Sequence, residues 1–162
     1  MAFEKVNQYF KQVGLESRVK QFDESSATVL EAAHALNCEP AHIAKTMSFL
    51  VDDQPILIVM AGDAKVDNRQ FKQEFHKRPK MIHSDEVEHY IGHAPGGVCP
   101  FVTKDGVTTF LDDSLKRFEV VYPAAGDDHS AVELSLSELD EYTQAERWIN
   151  VCKGWQDEAA ED

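Results

Sequence analysis

Basic residues are scarce in this chain: 16 Lys and Arg stand against 29 Asp and Glu, a formal net charge of −13 at pH 7. A surface of that sign repels a nucleic-acid backbone on average, so any RNA contact has to be local, and DNA is not an expected partner. Cysteine is sparse too. Cys38, Cys99 and Cys152 are odd in number, far apart and without a C-x-x-C pair, which argues against a disulfide framework and a cysteine zinc site. Long hydrophobic runs are missing: the longest, Ile56–Ala61, falls far short of the ~20 residues that cross a bilayer. The opening stretch M-A-F-E-K-V-N-Q-Y-F-K carries acidic and polar groups where a secretory signal has an apolar core. The expectation is a cytoplasmic protein with no membrane partner and no cofactor. Internal repeats and linkers are absent as well, so the 162 residues read as one domain, 1–155, ending in an acidic tail, 156–162, expected to be disordered.

What the sequence does have is one distinctive strand, Ala41–Val51, reading A-H-I-A-K-T-M-S-F-L-V. Alternation puts Ile43, Lys45, Met47, Phe49 and Val51 on one face, which is apolar except for the lysine at its centre. An ammonium among Ile, Met and Phe loses hydration and needs an anion, a route to water or a lowered pKa. Either Lys45 snorkels at a sheet edge, or it stands at the floor of a pocket for an anion or a carbonyl.

Around this strand the pattern alternates helix and strand. Phe3–Val13 has apolar residues at helical spacing and stops at Gly14. Arg18–Phe22 reads as a short strand. Thr28-V-L-Glu31 is a capping box opening a helix to about Asn37. A turn at Asp52–Pro55 joins the lysine strand to a hairpin partner, Ile56–Ala61. A helix follows over about Asn68–Lys77, and a short one, Asp85–Ile91, is expected to start at Ser84. Gly106–Leu111, Phe118–Tyr122 and Ala131–Leu134 read as strands. Ser135-L-S-Glu138 is another helix start, and a C-terminal helix is expected to carry Trp148, Cys152 and Trp155.

Three groups of residues invite chemistry. Lys65, Arg69, Lys72 and His76 share a helix face in the only dense basic region, either a solvated face or a landing site for phosphates. Gly92-His93-Ala94-Pro95-Gly96-Gly97-Val98-Cys99-Pro100-Phe101 packs three glycines and two prolines into ten residues, a shaped loop whose N–H groups can approach a ligand closely. The alternative is a plain connector. His129, in a Gly-Asp-Asp-His-Ser loop, is a surface histidine or a pocket wall. His89 and His93 have the i,i+4 spacing of metal ligands, but Gly92 ends that helix and no H-E-x-x-H appears, so no metal site is expected. Cys99 beside His93 leaves a thiol nucleophile open, which would make this a small-molecule hydrolase or transferase.

The motifs together resemble the YbaK / prolyl-tRNA-synthetase-associated family, free-standing relatives of the editing domain of bacterial prolyl-tRNA synthetases. The likeness is carried, in order, by Thr28-V-L-E-A-A, Ile43-Ala44-Lys45-Thr46, Gly92-H-A-P-Gly96-Gly97-V-C-Pro100, Leu111-Asp112-Asp113-Ser114-Leu115, Gly126…His129 and Val132-E-L, across about Ser25–Leu139. The resemblance implies a single compact α/β domain with a strongly curved, mostly antiparallel or mixed sheet flanked by helices. It implies an aminoacyl-tRNA deacylase acting on the CCA end of mischarged tRNA, with a synthetase as a further partner. Lys45, Gly96 and Gly97 are then the catalytic candidates; Thr46, Met47, Gly92, Pro100 and His129 bind substrate; and Lys65, Arg69 and Lys72 are candidates for tRNA contact. A pocket that binds an aminoacyl end or a partner without hydrolysing anything is the non-catalytic alternative.

Overall fold

The computed structural model describes residues 2–155. Helix α1 (Ala2–Gln12) buries Val6 and Phe10, and β1 (Val19–Gln21) follows. Helix α2 (Val29–Leu36) is capped by Thr28, whose hydroxyl accepts from Glu31 N–H at 3.2 Å. The lysine strand is β2 (Ile43–Val51), and it turns through Asp52 and Asp53, both at positive φ, into β3 (Gln54–Ala61). Two left-handed residues match the twist of a tight hairpin, and the hairpin is in register from Ala44 opposite Ala61 to Val51 opposite Gln54.

Strand β4 (Lys65–Val66) leads to α3 (Asn68–Phe75), capped by Asp67. Helix α4 (Val87–Ile91) is shorter than expected. It is flanked by Glu86, with no side-chain cap, so Ser84 does not start it. Then come β5 (Thr108–Asp112), β6 (Val120–Pro123), β7 (Ser130–Val132), β8 (Leu134–Ser135) and α5 (Leu136–Thr143). Ser135 and Glu138 form the expected capping box on α5. The expected C-terminal helix is not there. Trp148 lies on β9 (Arg147–Ile149) and Cys152 on β10 (Cys152–Lys153). The expected tail falls outside the described residues.

Six strands form one curled mixed sheet in the order β8-β6-β2-β3-β5-β9. The pairs β2–β6, β3–β5 and β5–β9 are parallel, and β2–β3 and β6–β8 antiparallel. The two small pairs, β1–β7 and β4–β10, are antiparallel. From Ile56 to Ala61 β3 is buried at every position, as befits a strand covered on both faces. On one side, Phe10, Phe49, Phe71, Phe101 and Leu111 belong to the main core. On the other, Leu57 packs with Ile82, Val87 and Ile91. Helix α2 lays Ala32 and Ala33 on Ile43, which fixes one wall beside the start of β2.

Candidate functional site

Beside β2 lies a cavity of about 290 Å³. Lys45, Thr46 and Met47 line it from the strand, Thr28 and Ala32 from the α2 side, and Gly96 from the glycine loop. Lys45 and Gly96, 51 residues apart in the chain, thus share one cavity. Its walls include Ala27, Ala32, Ala44, Ala124 and Ala131, and its volume is at the lower end for small-molecule sites.

Lys45 is half-buried, and its ammonium makes no ion pair or hydrogen bond among the described residues. Burial pulls its pKa below the usual lysine value, Lys65 adds to the lowering, and Asp63 opposes it by favouring the charged form. Asp63 is itself tied down. The Arg117 guanidinium donates to both of its oxygens, at 2.6 and 3.0 Å, and holds its carboxyl below the usual range. Arg117 in turn donates to Ser114 O at 2.9 Å and lies over the Phe118 and Trp155 rings. Asp63 and Arg117 were not among the expected site residues. The signal for Asp63 was the hairpin itself, because Ala44 opposite Ala61 sets the turn at Asp63 near Lys45.

The expected residues divide. Thr46 and Met47 line the cavity, and the Thr46 Oγ1 is buried without a hydrogen-bond partner. Gly96, at φ +88°, faces the cavity in a backbone conformation that favours glycine. Gly97 does not line it. Its N–H donates to Ala94 O at 3.0 Å, and a Cβ there would meet Asp127 Cα at 2.7 Å. Gly97 therefore packs the loop against the Gly126 turn, and the expectation that its N–H faces a substrate is corrected. Gly92 caps α4 and, with Pro100, also stands away from this cavity. His129 turns outward to Asp128, Nδ1 to Oδ1 2.6 Å, while its neighbours Ser130 and Ala131 line the wall.

Cys99 is fully buried, and burial pushes its thiol up to about 12. His93 Nε2 lies 2.7 Å from Phe101 O. A carbonyl only accepts, so Nε2 carries the proton and cannot take one from the thiol 3.5 Å away. Cys99 is not an available nucleophile. His89 is exposed on α4, and His93 lies past its Gly92 cap, 1% exposed, so the two do not converge.

A second groove, about 400 Å³, shares Lys45 and Met47 with the cavity and has Lys65, Phe49, Met60 and Met81 in its walls. Arg69 and Lys72 are exposed on α3, which starts two residues beyond β4.

Residues 23–142 match the aminoacyl-tRNA editing domain family. This chain belongs to that family. A Bacillus subtilis (strain 168) protein, the uncharacterized YwhH, is 44% identical over 157 residues, covering 96% of this chain and 100% of its own length. The proline–tRNA ligase of Limosilactobacillus fermentum is 30% identical over 125 residues, which are 73% of this chain and 22% of that enzyme. The fold is shared with a candidate trans-editing enzyme for prolyl tRNA synthetase, at TM-score 0.84 and 23% identity, covering 94% of this chain and 98% of that one. The editing-domain match spans the motifs named above, from the α2 cap to α5.

Proposed function

We propose that this editing-domain protein hydrolyses the ester between a wrong amino acid and the terminal adenosine of a tRNA, with water as nucleophile. The observation that carries the proposal is Lys45: a half-buried ammonium without an ion-pair partner among the described residues, in one cavity with Gly96. An aminoacyl ester is already activated, so the site has to hold the ester and a water in register and stabilise an oxyanion. Lys45 is the electrostatic anchor for the terminal phosphate or the developing oxyanion. The Gly96 side of the loop polarises the carbonyl. The alanine-rich wall holds a small side chain, and Thr46 and Met47 bound it.

The second groove continues this site. It leads from Lys45 to Lys65 on β4, with Arg69 and Lys72 on the helix that follows, so the CCA end has a basic path away from the cavity. The reaction needs only tRNA and water, which places it where translation occurs, in the cytoplasm; a synthetase that presents the substrate is a compatible partner.

The test is ester loss from a panel of mischarged tRNAs, with wild type, Lys45→Ala and Lys45→Arg. Wild type should deacylate at least one small aminoacyl-tRNA. Lys45→Ala should lower kcat/KM by about 10²–10³-fold, the usual cost of one preorganised oxyanion-stabilising group. Full activity in the alanine variant overturns the role of Lys45. Binding without hydrolysis across the whole panel overturns the enzyme and leaves a binding module.

A further inference from the structure

The outer edge of β2 is closed at both ends and open in the middle. At its start, β6 pairs with Ile43 and Ala44 and goes no further. Near its end, Leu50 N–H donates to Lys80 O at 2.9 Å and Ser48 O accepts from Ile82 N–H at 3.1 Å, around a bridge between Phe49 and Met81. In a strand the main-chain groups of alternate residues point to the same edge. Ser48 and Leu50 point outward, so Ala44 and Thr46 do as well, and the odd-numbered residues face β3. Thr46 is thus the one outward residue between the two closures. Its N–H and C=O have no partner on that edge among the described residues. The cavity opens at this place, with Ala44 and Thr46 on one side and Tyr122 and Ala124, where β6 ends, on the other.

A one-residue gap in a strand edge has the shape of a single amino acid in extended conformation. We propose that the aminoacyl group docks there as a one-residue strand, its α-ammonium donating to Thr46 C=O and its ester carbonyl oxygen accepting from Thr46 N–H. This is the reciprocal pair that two residues exchange in an antiparallel ladder, and peptides that add to open sheet edges use the same groups. The pairing reads what every aminoacyl ester has in common, and it leaves selection among side chains to the alanine-rich wall. It also supplies a carbonyl-polarising donor from the rigid sheet, in the place that Gly97 does not fill. The buried, unpartnered Thr46 Oγ1 adds a further polar group at the same position.

The inference rests on the editing reading, and the experiment separates the two. Amide hydrogen exchange is followed by NMR in the free protein and with 3′-(alanylamino)-3′-deoxyadenosine, the non-hydrolysable amide of an alanyl ester. In the free protein the Thr46 amide exchanges fast, while the Leu50 amide, bonded to Lys80 O, is protected. The analogue should slow Thr46 at least about tenfold, the effect of one good hydrogen bond, and leave Leu50 unchanged. Protection of Thr46 before ligand is added, an unchanged Thr46 with the analogue bound, or failure of the analogue to bind overturns the docking mode. Deacylation of mischarged tRNA together with an unchanged Thr46 leaves the enzyme standing and removes only this inference. Thr46→Pro deletes the outward N–H without deleting a bond to β3, and should lower kcat/KM about 100-fold. Should that variant not fold, the exchange measurement still decides.

Discussion

A half-buried ammonium with no carboxylate in ion-pair range among the described residues is an unfinished interaction, and Lys45 is one. An arrangement built for stability would have set an acid against it. Instead the nearby acid, Asp63, is held by the bidentate Arg117 and forms no ion pair with Lys45. Activity that needs this charge falls as pH rises through the Lys45 pKa, and burial has moved that pKa down from 10.5. The wild-type kcat/KM should therefore decline on the alkaline side before the ordinary lysine range of about 10.4, and Lys45→Arg, which stays charged, should lose that decline. A wild-type profile flat through that range contradicts a cationic role. Lys45 was legible in the sequence because strand alternation isolates one charge on an apolar face. Its surroundings were not. Asp63 and Arg117 are 54 residues apart, and only the folded sheet edge brings them together. The direction of His129 is not legible in the sequence for a smaller reason: the phase of a polar loop is invisible in composition, and here Ser130 and Ala131 take the inward positions.

At the scale of elements, hairpins and caps were readable because their signals are local. Thr28, Ser135 and the Asp52-Asp53 turn do what their chemistry dictates. The C-terminal segment was misread because Trp148, Cys152 and Trp155 mimic helical spacing while their backbone is captured by distant partners. Val151 N–H donates to Asp112 Oδ1 at 2.9 Å, and Val151 O accepts from Asp67 N–H at 2.8 Å. The glycine loop is held by two local devices, and each can be tested. Gly97→Ala sets a methyl against the Asp127 backbone. It should displace the loop and lower kcat more than it lowers the thermal midpoint; an unchanged kcat denies the loop its place at the site. His93 is buried, with its Nδ1 unpartnered and Nε2–H on Phe101 O. Burial depresses its pKa from 6.5, Phe101 O opposes this, and Lys5 adds to the lowering. The unfolded chain then binds the proton first as pH falls, so the His93 contribution is complete above about 6.5 and is lost below it, by up to ~1.4 kcal/mol per pH unit. Denaturant unfolding of wild type and His93→Gln should show the difference between them shrinking over that window. Parallel curves remove His93 as the loop's acid-sensitive pin.

For the whole molecule the difficulty is charge. On the editing reading, a chain at −13 has to bind tRNA, one of the most negative molecules in the cell. Long-range attraction cannot supply encounter, since beyond about 10 Å exposed charges are screened and the average field is of the wrong sign. On that reading the contact is short and confined: Lys65 lines the second groove with Lys45, and Arg69 and Lys72 are exposed on α3. A confined contact has a small but definite salt dependence, because each phosphate neutralised contributes roughly 0.7–0.9 to the slope of log affinity against log salt. Reversing two charges, Arg69→Glu with Lys72→Glu, should raise KM for tRNA and reduce that slope by about 1.5. Cleavage of a minimal aminoacyl-adenosine, which lacks the tRNA phosphates that Arg69 and Lys72 would contact, should be unaffected. An unchanged slope in the double variant would mean that recognition stops at the terminal nucleotide and that a synthetase brings the rest of the tRNA into place. The measurement thus separates a protein that finds its own substrate from one that is handed it.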